Sequence, residues 1–182
     1  MTSVHDIPLP QGPFPLIDAD PHFARVVRFY RPSDYLVWAG FTASGPIIDG
    51  LSEYVPYTAS SKSFRESVEG FLYSTKSTKS IFKNYPSIAL GALAGFLYTY
   101  NRSSARFFGA TENSREVEKD LKELKLRAKK GLPLYGTSYL PENLQDLAAR
   151  YSRLAQLKLY IFPWFNFVNH NNHGVDVAKY YE

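Results

Sequence analysis

Two apolar stretches interrupt a chain whose polar positions otherwise recur at helical spacing. The first, YLVWAGFTASGPIIDGL from Tyr35 to Leu51, meets no charge until Asp49. The second, NYPSIALGALAGFLYTYNR from Asn84 to Arg102, carries none before its arginine. A bilayer's hydrocarbon takes roughly 20 residues to span, at about 1.5 Å of rise each. Both stretches are therefore minimal spans, and together they predict a two-helix transmembrane hairpin over about 35–51 and 85–101. Pro46 would kink the first helix, which membrane helices tolerate where neighbours satisfy the freed carbonyl.

Small residues sharpen that expectation. Gly91 and Gly95 form G-x-x-x-G, and Gly40 with Ser44 repeats the spacing. Four-residue spacing stacks two small side chains on one helix face and lets a second backbone approach closely, so all four are expected helix-packing positions. Arg25, Arg28 and Arg31 precede the first stretch and Arg102 and Arg106 follow the second. By the positive-inside rule both termini fall on the electrically negative side. Arg25, Arg28, Arg102 and Arg106 are then expected at lipid headgroups, with cardiolipin the anionic candidate.

The flanks read differently. Residues 1–32 form a proline-rich extended arm with a basic turn, since prolines at 8, 10, 13, 15 and 21 remove donors and hold φ. Residues 33–102 make up the hairpin, including a polar connector from Ser52 to Lys83 in which Phe64, Val68, Phe71 and Leu72 predict a short surface helix. Residues 103–182 predict two amphipathic helices and an aromatic tail. The first starts at Asn113 or Ser114, lines up Val117, Leu121, Leu124 and Ala128, and stops at Gly131 and Pro133. The second starts at Pro141, with Leu144, Leu147, Ala148, Tyr151, Leu154, Ala155 and Lys158 as its inner face. The fold class is thus all-α, without an independent globular core, and the arm and tail are expected to gain order on the surfaces of partners.

Composition removes whole classes of chemistry. There is no cysteine, which excludes disulfides, thiolate catalysis and cysteine-ligated zinc or iron–sulfur centres. Neither a phosphate-cradling G-x-x-x-x-G-K-[ST] nor G-x-G-x-x-G occurs. The net charge of +4 suits anionic lipid or acidic protein surfaces. Nucleic acid is disfavoured, because Glu116, Glu118, Asp120 and Glu123 are interspersed among the lysines of the same helix. The opening residues, with Asp6, Asp18 and Asp20, lack a secretory or transit pattern, so an organellar address would be internal. NHNNH brings His170 and His173 together, but without an intervening carboxylate it reads as a hydrogen-bonded turn anchored by Asn and His and not as a metal site. No catalytic, cofactor-binding or metal-ligating residue is assigned.

Three passages, PLIDADPHFARVVRFYRPSDYLVWAGF, RFFGATENSREVEKDLKELKLRAKKGLPLYG and NFVNHNNHGVDVAKYYE, resemble the small fungal accessory subunits, of roughly 21 kDa, of mitochondrial respiratory complex I, the NADH:ubiquinone oxidoreductase. The resemblance covers most of the chain and is weakest between Ser52 and Lys83. It implies two membrane helices with matrix-exposed flanks at the mitochondrial inner membrane, no bound flavin, cluster or quinone, other complex I subunits as partners, and a non-catalytic role in assembly and stability of the membrane arm. The alternative from another class is a soluble or peripheral all-α enzyme or carrier with the second apolar stretch as its buried central helix.

Overall fold

A computed structural model describes residues 12–54, 85–153 and 164–182, with the backbone alone over 49–54. All regular structure in these residues is helical: α1 (Phe23–Arg28), α2 (Pro32–Tyr54), α3 (Tyr85–Phe107), α4 (Ser114–Lys129), α5 (Glu142–Ser152) and a closing 3-10 turn (Ala178–Tyr180). The chain divides into two compact units, Met1–Tyr30 with Tyr100–Glu182, and Arg31–Thr99. The surface helix expected around Phe64–Leu72, the prolines at 8 and 10, and the continuation of α5 through Leu154, Ala155 and Lys158 lie outside the described residues.

In the unit Arg31–Thr99, α2 starts on Pro32, whose fixed φ and missing N–H suit a first helical position. The Asp34 carboxylate reaches back to accept the Arg31 N–H at 2.7 Å, satisfying a donor that the helix leaves open. Helix α2 pairs with the first part of α3 in antiparallel fashion: Gly45 lies by Ser87, Phe41 by Gly91 and Trp38 by Gly95. Trp38 Nε1 donates to the Ala92 carbonyl at 2.8 Å and its ring packs on Phe96 at 5.5 Å.

The expected transmembrane hairpin is not found. The two helices form and each has 23 residues, yet no helix among the described residues is long and apolar enough to cross a membrane. The reason is polarity and not length. In α3 the run free of polar, Tyr and Pro side chains is only Ile88–Leu97, which at 1.5 Å per residue covers about 15 Å, half the hydrocarbon thickness. Its last turns carry Asn101, Arg102, Ser103, Ser104 and Arg106, and Ser103, Ser104 and Arg106 are buried among protein groups. In α2, Asp34, Thr42, Ser44, Pro46 and Asp49 dilute the apolar residues.

The expectation of a chain without its own core is also overturned. The unit built from both ends of the chain buries Ile17, Val26, Phe29, Tyr100, Phe107, Phe108, Leu124 and Tyr180. The described part of the proline-rich arm, from Gly12 on, contributes to it. Phe14 N–H donates to Gly109 O at 3.1 Å and Ile17 N–H to Phe107 O at 2.9 Å, and the Asn113 amide donates to both Pro15 O and Arg106 O. Gly109, at φ 71°, lets the arm pass: a side chain there would run into the Phe14 carbonyl. The arm and the aromatic tail, expected to find order on other proteins, find it on each other. Ala19 N–H donates to His173 O at 2.9 Å and Phe23 N–H to Asn166 O at 2.7 Å. Phe23, Tyr100, Phe165 and Phe167 form one aromatic cluster with centroids 4.8–6.1 Å apart.

Helices α4 and α5 arise where expected but turn different faces inward. The buried positions of α4 are Glu116, Asp120 and Leu124, while Leu121 is exposed. In α5 the buried position is Ala149, and Leu144, Leu147 and Tyr151 face out. Buried polar partners, and not apolar burial alone, orient these helices: Arg25 and Arg106 pair with Asp120 and Glu116 of α4, and the Ser152 hydroxyl of α5 donates to Asp20.

Candidate functional site: a buried acid–base clasp

The strongest concentration of ionisable chemistry joins the two ends of the chain. Asp18 and Asp20 come from the arm, Arg25 from α1, Asp120 from α4, Ser152 from the end of α5, and His170, His173 and Tyr180 from the tail. Asp18, Asp20 and His170 are essentially without solvent exposure. Burying charge is costly unless it is paired and hydrogen-bonded, and here each of these groups finds at least one hydrogen-bond partner, with only Asp20 Oδ1 left without one.

Arg25 is the hub. Its Nη1 lies 2.5 Å from Asp18 Oδ2 and its Nη2 bonds Asp120 Oδ1, so one guanidinium fork ties the arm to α4. The Tyr180 hydroxyl donates to the other Asp120 oxygen at 2.8 Å, bringing in the last turn of the chain. Asp18 Oδ1 accepts from the Asp20 N–H at 2.9 Å and from His173 Nδ1 at 2.7 Å. His173 Nε2 in turn lies 2.7 Å from the His170 carbonyl, which accepts and never donates. With a carbonyl on one side and a carboxylate on the other, His173 meets an acceptor at both ring nitrogens. His170 is bonded differently: Nδ1 accepts the Asn172 N–H at 3.2 Å, so Nε2 is the donor to Asp20 Oδ2 at 2.7 Å. The Ser152 hydroxyl donates to the same Asp20 oxygen. The imidazoles stack at 4.7 Å, and Tyr135 covers His173 at 3.6 Å.

These environments move the titrations in opposite directions. Burial alone would raise the Asp18 carboxyl, but the His173 charge and hydrogen bond, Arg25 and the Asp20 N–H outweigh it and hold Asp18 below the usual carboxylate range. For Asp120 burial prevails over Arg25 and the Tyr180 hydrogen bond, so its carboxyl is raised. Burial lowers the Arg25 guanidinium, and Asp18 with Asp120 more than restore it, so the charge is fixed. Burial also raises the Tyr135 and Tyr180 phenols and keeps both neutral.

Chemically this is a clasp. Ser152 bonds an aspartate and not an imidazole nitrogen, so Ser152, Asp20 and His170 do not form a nucleophilic triad. No group of three or more His, Asp or Glu residues among the described residues is arranged to hold a metal ion.

The residues singled out from the sequence are dispersed. Gly91 and Gly95 lie against α2: a Cβ on Gly95 would sit 2.7 Å from the Phe41 Cβ and 2.9 Å from the Trp38 ring, and one on Gly91 would strike the Phe41 carbonyl. Gly40 faces open space, Ser44 donates to the Phe41 carbonyl at 2.7 Å, and Gly45 is the α2 glycine against which α3 closes. Of the arginines, Arg25 is spent in the clasp and Arg106 is buried 3.7 Å from Glu116, while Arg28, paired with Glu123, and Arg102 are exposed. Asp18, Asp20 and Asp120 were not singled out. Their signal was a D-x-D in the arm facing an H-x-x-H in the tail, and an acidic stripe at Glu116 and Asp120 in step with Leu124.

Residues 11–112 match the family model described as NADH-ubiquinone oxidoreductase complex I, 21 kDa subunit. Residues 116–182 match that for the C-terminal of NADH-ubiquinone oxidoreductase 21 kDa subunit. The first match ends just before α4 and the second begins in its first turn, so the clasp joins residues of both. The chain is also similar to the NADH-ubiquinone oxidoreductase 20.9 kDa subunit of Neurospora crassa, 44% identical over 169 residues that make up 93% of this chain and 82% of the relative. The chain therefore belongs to the family of 21 kDa subunits of NADH-ubiquinone oxidoreductase, respiratory complex I.

Proposed function

We propose that this chain is a non-catalytic accessory subunit of mitochondrial complex I that supports assembly and stability of the enzyme's membrane arm. The observation that carries the reading is how the ionisable groups are used. Asp18, Asp20, Asp120, Arg25, His170 and His173 bond to one another across the two ends of the chain, as groups do that hold a shape and not a substrate. The surface supports the same reading. Leu36, Ile48, Leu90 and Leu93 are each more than half exposed, apolar area that a subunit covers with its neighbours in a complex. Other complex I subunits are the protein partners, at the inner membrane, with the unit that holds both chain ends on the matrix side. Phospholipid, with cardiolipin the anionic candidate, meets the exposed Arg28 and Arg102.

The test is co-migration. A tagged copy expressed in its own organism is expected in the native-gel band that carries NADH dehydrogenase activity. A chain that runs wholly apart from that band, with the band unchanged when the chain is deleted, would sink the reading.

A further inference from the structure

A concavity of about 200 Å³ opens beside the clasp between α1 and α4, and His22, Arg25, Arg28, Glu123, Arg127 and Tyr135 are among the residues that line it. Its lining is basic: three arginines and a histidine against one carboxylate. The charge of Arg25 is matched by Asp18 and Asp120. Arg28 and Arg127 instead converge on a single oxygen. Arg28 Nη2 bonds Glu123 Oε1, and Arg127 Nη1 stands 4.0 Å from that same oxygen. One carboxylate thus serves two guanidiniums, and the more distant is beyond hydrogen-bond length. His22 Nδ1 accepts the Ala24 N–H at 3.1 Å, so its proton sits on Nε2.

From this geometry we infer that the concavity is a binding site for a phosphate group, held between Arg28 and Arg127 with His22 as a further donor. A tetrahedral oxyanion presents several oxygens and spans two guanidinium forks, whereas the lone Glu123 oxygen reaches only one at bonding distance. Glu123 is the internal anion that the ligand competes with. The phosphate comes from a phospholipid headgroup or from free phosphate. The lipid source rests on the phospholipid reading above; the site itself does not.

The test uses the purified full-length chain at low ionic strength, with calorimetric titration of inorganic phosphate in one arm. The other arm is flotation with phosphatidylcholine vesicles, with and without cardiolipin. Saturable phosphate binding is expected, weakened about tenfold by Arg127→Gln, the loss of one charged hydrogen bond. Glu123→Gln is expected to tighten it, a gain that misfolding cannot imitate. Cardiolipin-dependent flotation lost in Arg127→Gln assigns the lipid source, and phosphate binding without such flotation assigns free phosphate. The inference is overturned if wild type and both variants behave alike in both arms, or if Glu123→Gln weakens binding as Arg127→Gln does. A failure here leaves co-migration with complex I untouched, and a failure of co-migration leaves the phosphate titration to stand or fall by itself.

Discussion

Asp18→Asn removes a charge buried to 0% exposure while keeping the side chain's size. The amide leaves Arg25 with Asp120 alone, and it gives His173 Nδ1 at most one weaker acceptor where a carboxylate stood at 2.7 Å. Because both partners are themselves buried, solvent screening recovers little, and breaking a buried pair in this way costs about 3–5 kcal/mol. Against the roughly 5–15 kcal/mol that holds an ordinary domain together, that is enough to loosen the unit formed by the chain ends. The assay follows from the two tryptophans, since Trp38 lies in one unit and Trp164 in the other. In a Trp38→Phe background, urea unfolding followed by Trp164 fluorescence reports the unit that contains the clasp. Glu118→Gln, which loses an exposed pair to Lys122, is the control and is expected to leave the midpoint unchanged. The pH dependence carries a definite sign. Asp18 is held below its ordinary value of 3.8, so its contribution is complete above that value and is lost as pH falls through the lower folded one. Wild type should lose stability steeply through that acid window, and Asp18→Asn should show a shallower acid limb from a lower plateau. A loss of stability below about 1 kcal/mol, no more than a typical single hydrogen bond contributes, would refute the idea that the clasp holds the ends together.

Asp120→Asn should cost less than Asp18→Asn, because burial raises the Asp120 carboxyl and already disfavours its charge; urea midpoints of the two variants rank them. Gly95→Leu drives a side chain into Phe41 and Trp38 and should lower the amount of assembled complex on native gels. Gly40→Ala, facing open space, should be neutral or stabilise α2 by up to about 1 kcal/mol from helix propensity. His173→Gln carries its donors on a single amide nitrogen and cannot bridge the Asp18 carboxylate and the His170 carbonyl as the two ring nitrogens do, so hydrogen exchange read by mass spectrometry should speed up over residues 164–182 while α2 is unaffected.

What the sequence made legible was local. Helix starts and stops depend on residues a few positions apart, so the start of α4 at Asn113 or Ser114 and its stop at Gly131 and Pro133 were readable. The failures lie where a residue's partner is far along the chain. Leu144, Leu147 and Tyr151 have the spacing of an inner face, yet they point outward because Ser152 at the helix end is fixed to Asp20. Val117 and Leu121 suggested the docking stripe of α4, but Arg25 and Arg106 draw Asp120 and Glu116 inward instead. The membrane hairpin failed for a related reason. The stretch from Tyr98 to Arg106 looks like an aromatic and basic membrane border in sequence, and in the fold Tyr100, Ser103, Ser104 and Arg106 are core of the unit that binds the arm. The clasp itself spans more than 150 residues between Asp18 and His173, and no periodicity records such a separation. NHNNH does hold local hydrogen bonds, from the Asn172 N–H to His170 Nδ1 and between His173 Nε2 and the His170 carbonyl, but the acids it is buried against come from the other end of the chain.

The central claim, that the chain supports complex I structurally and not chemically, is tested most directly by deleting it. Membranes of the deletion strain are compared with wild type for assembled complex on native gels and for NADH:ubiquinone turnover per assembled complex. Fewer assembled complexes, each with wild-type turnover, is the predicted result. A wild-type amount of full-size complex that has lost its turnover would contradict it.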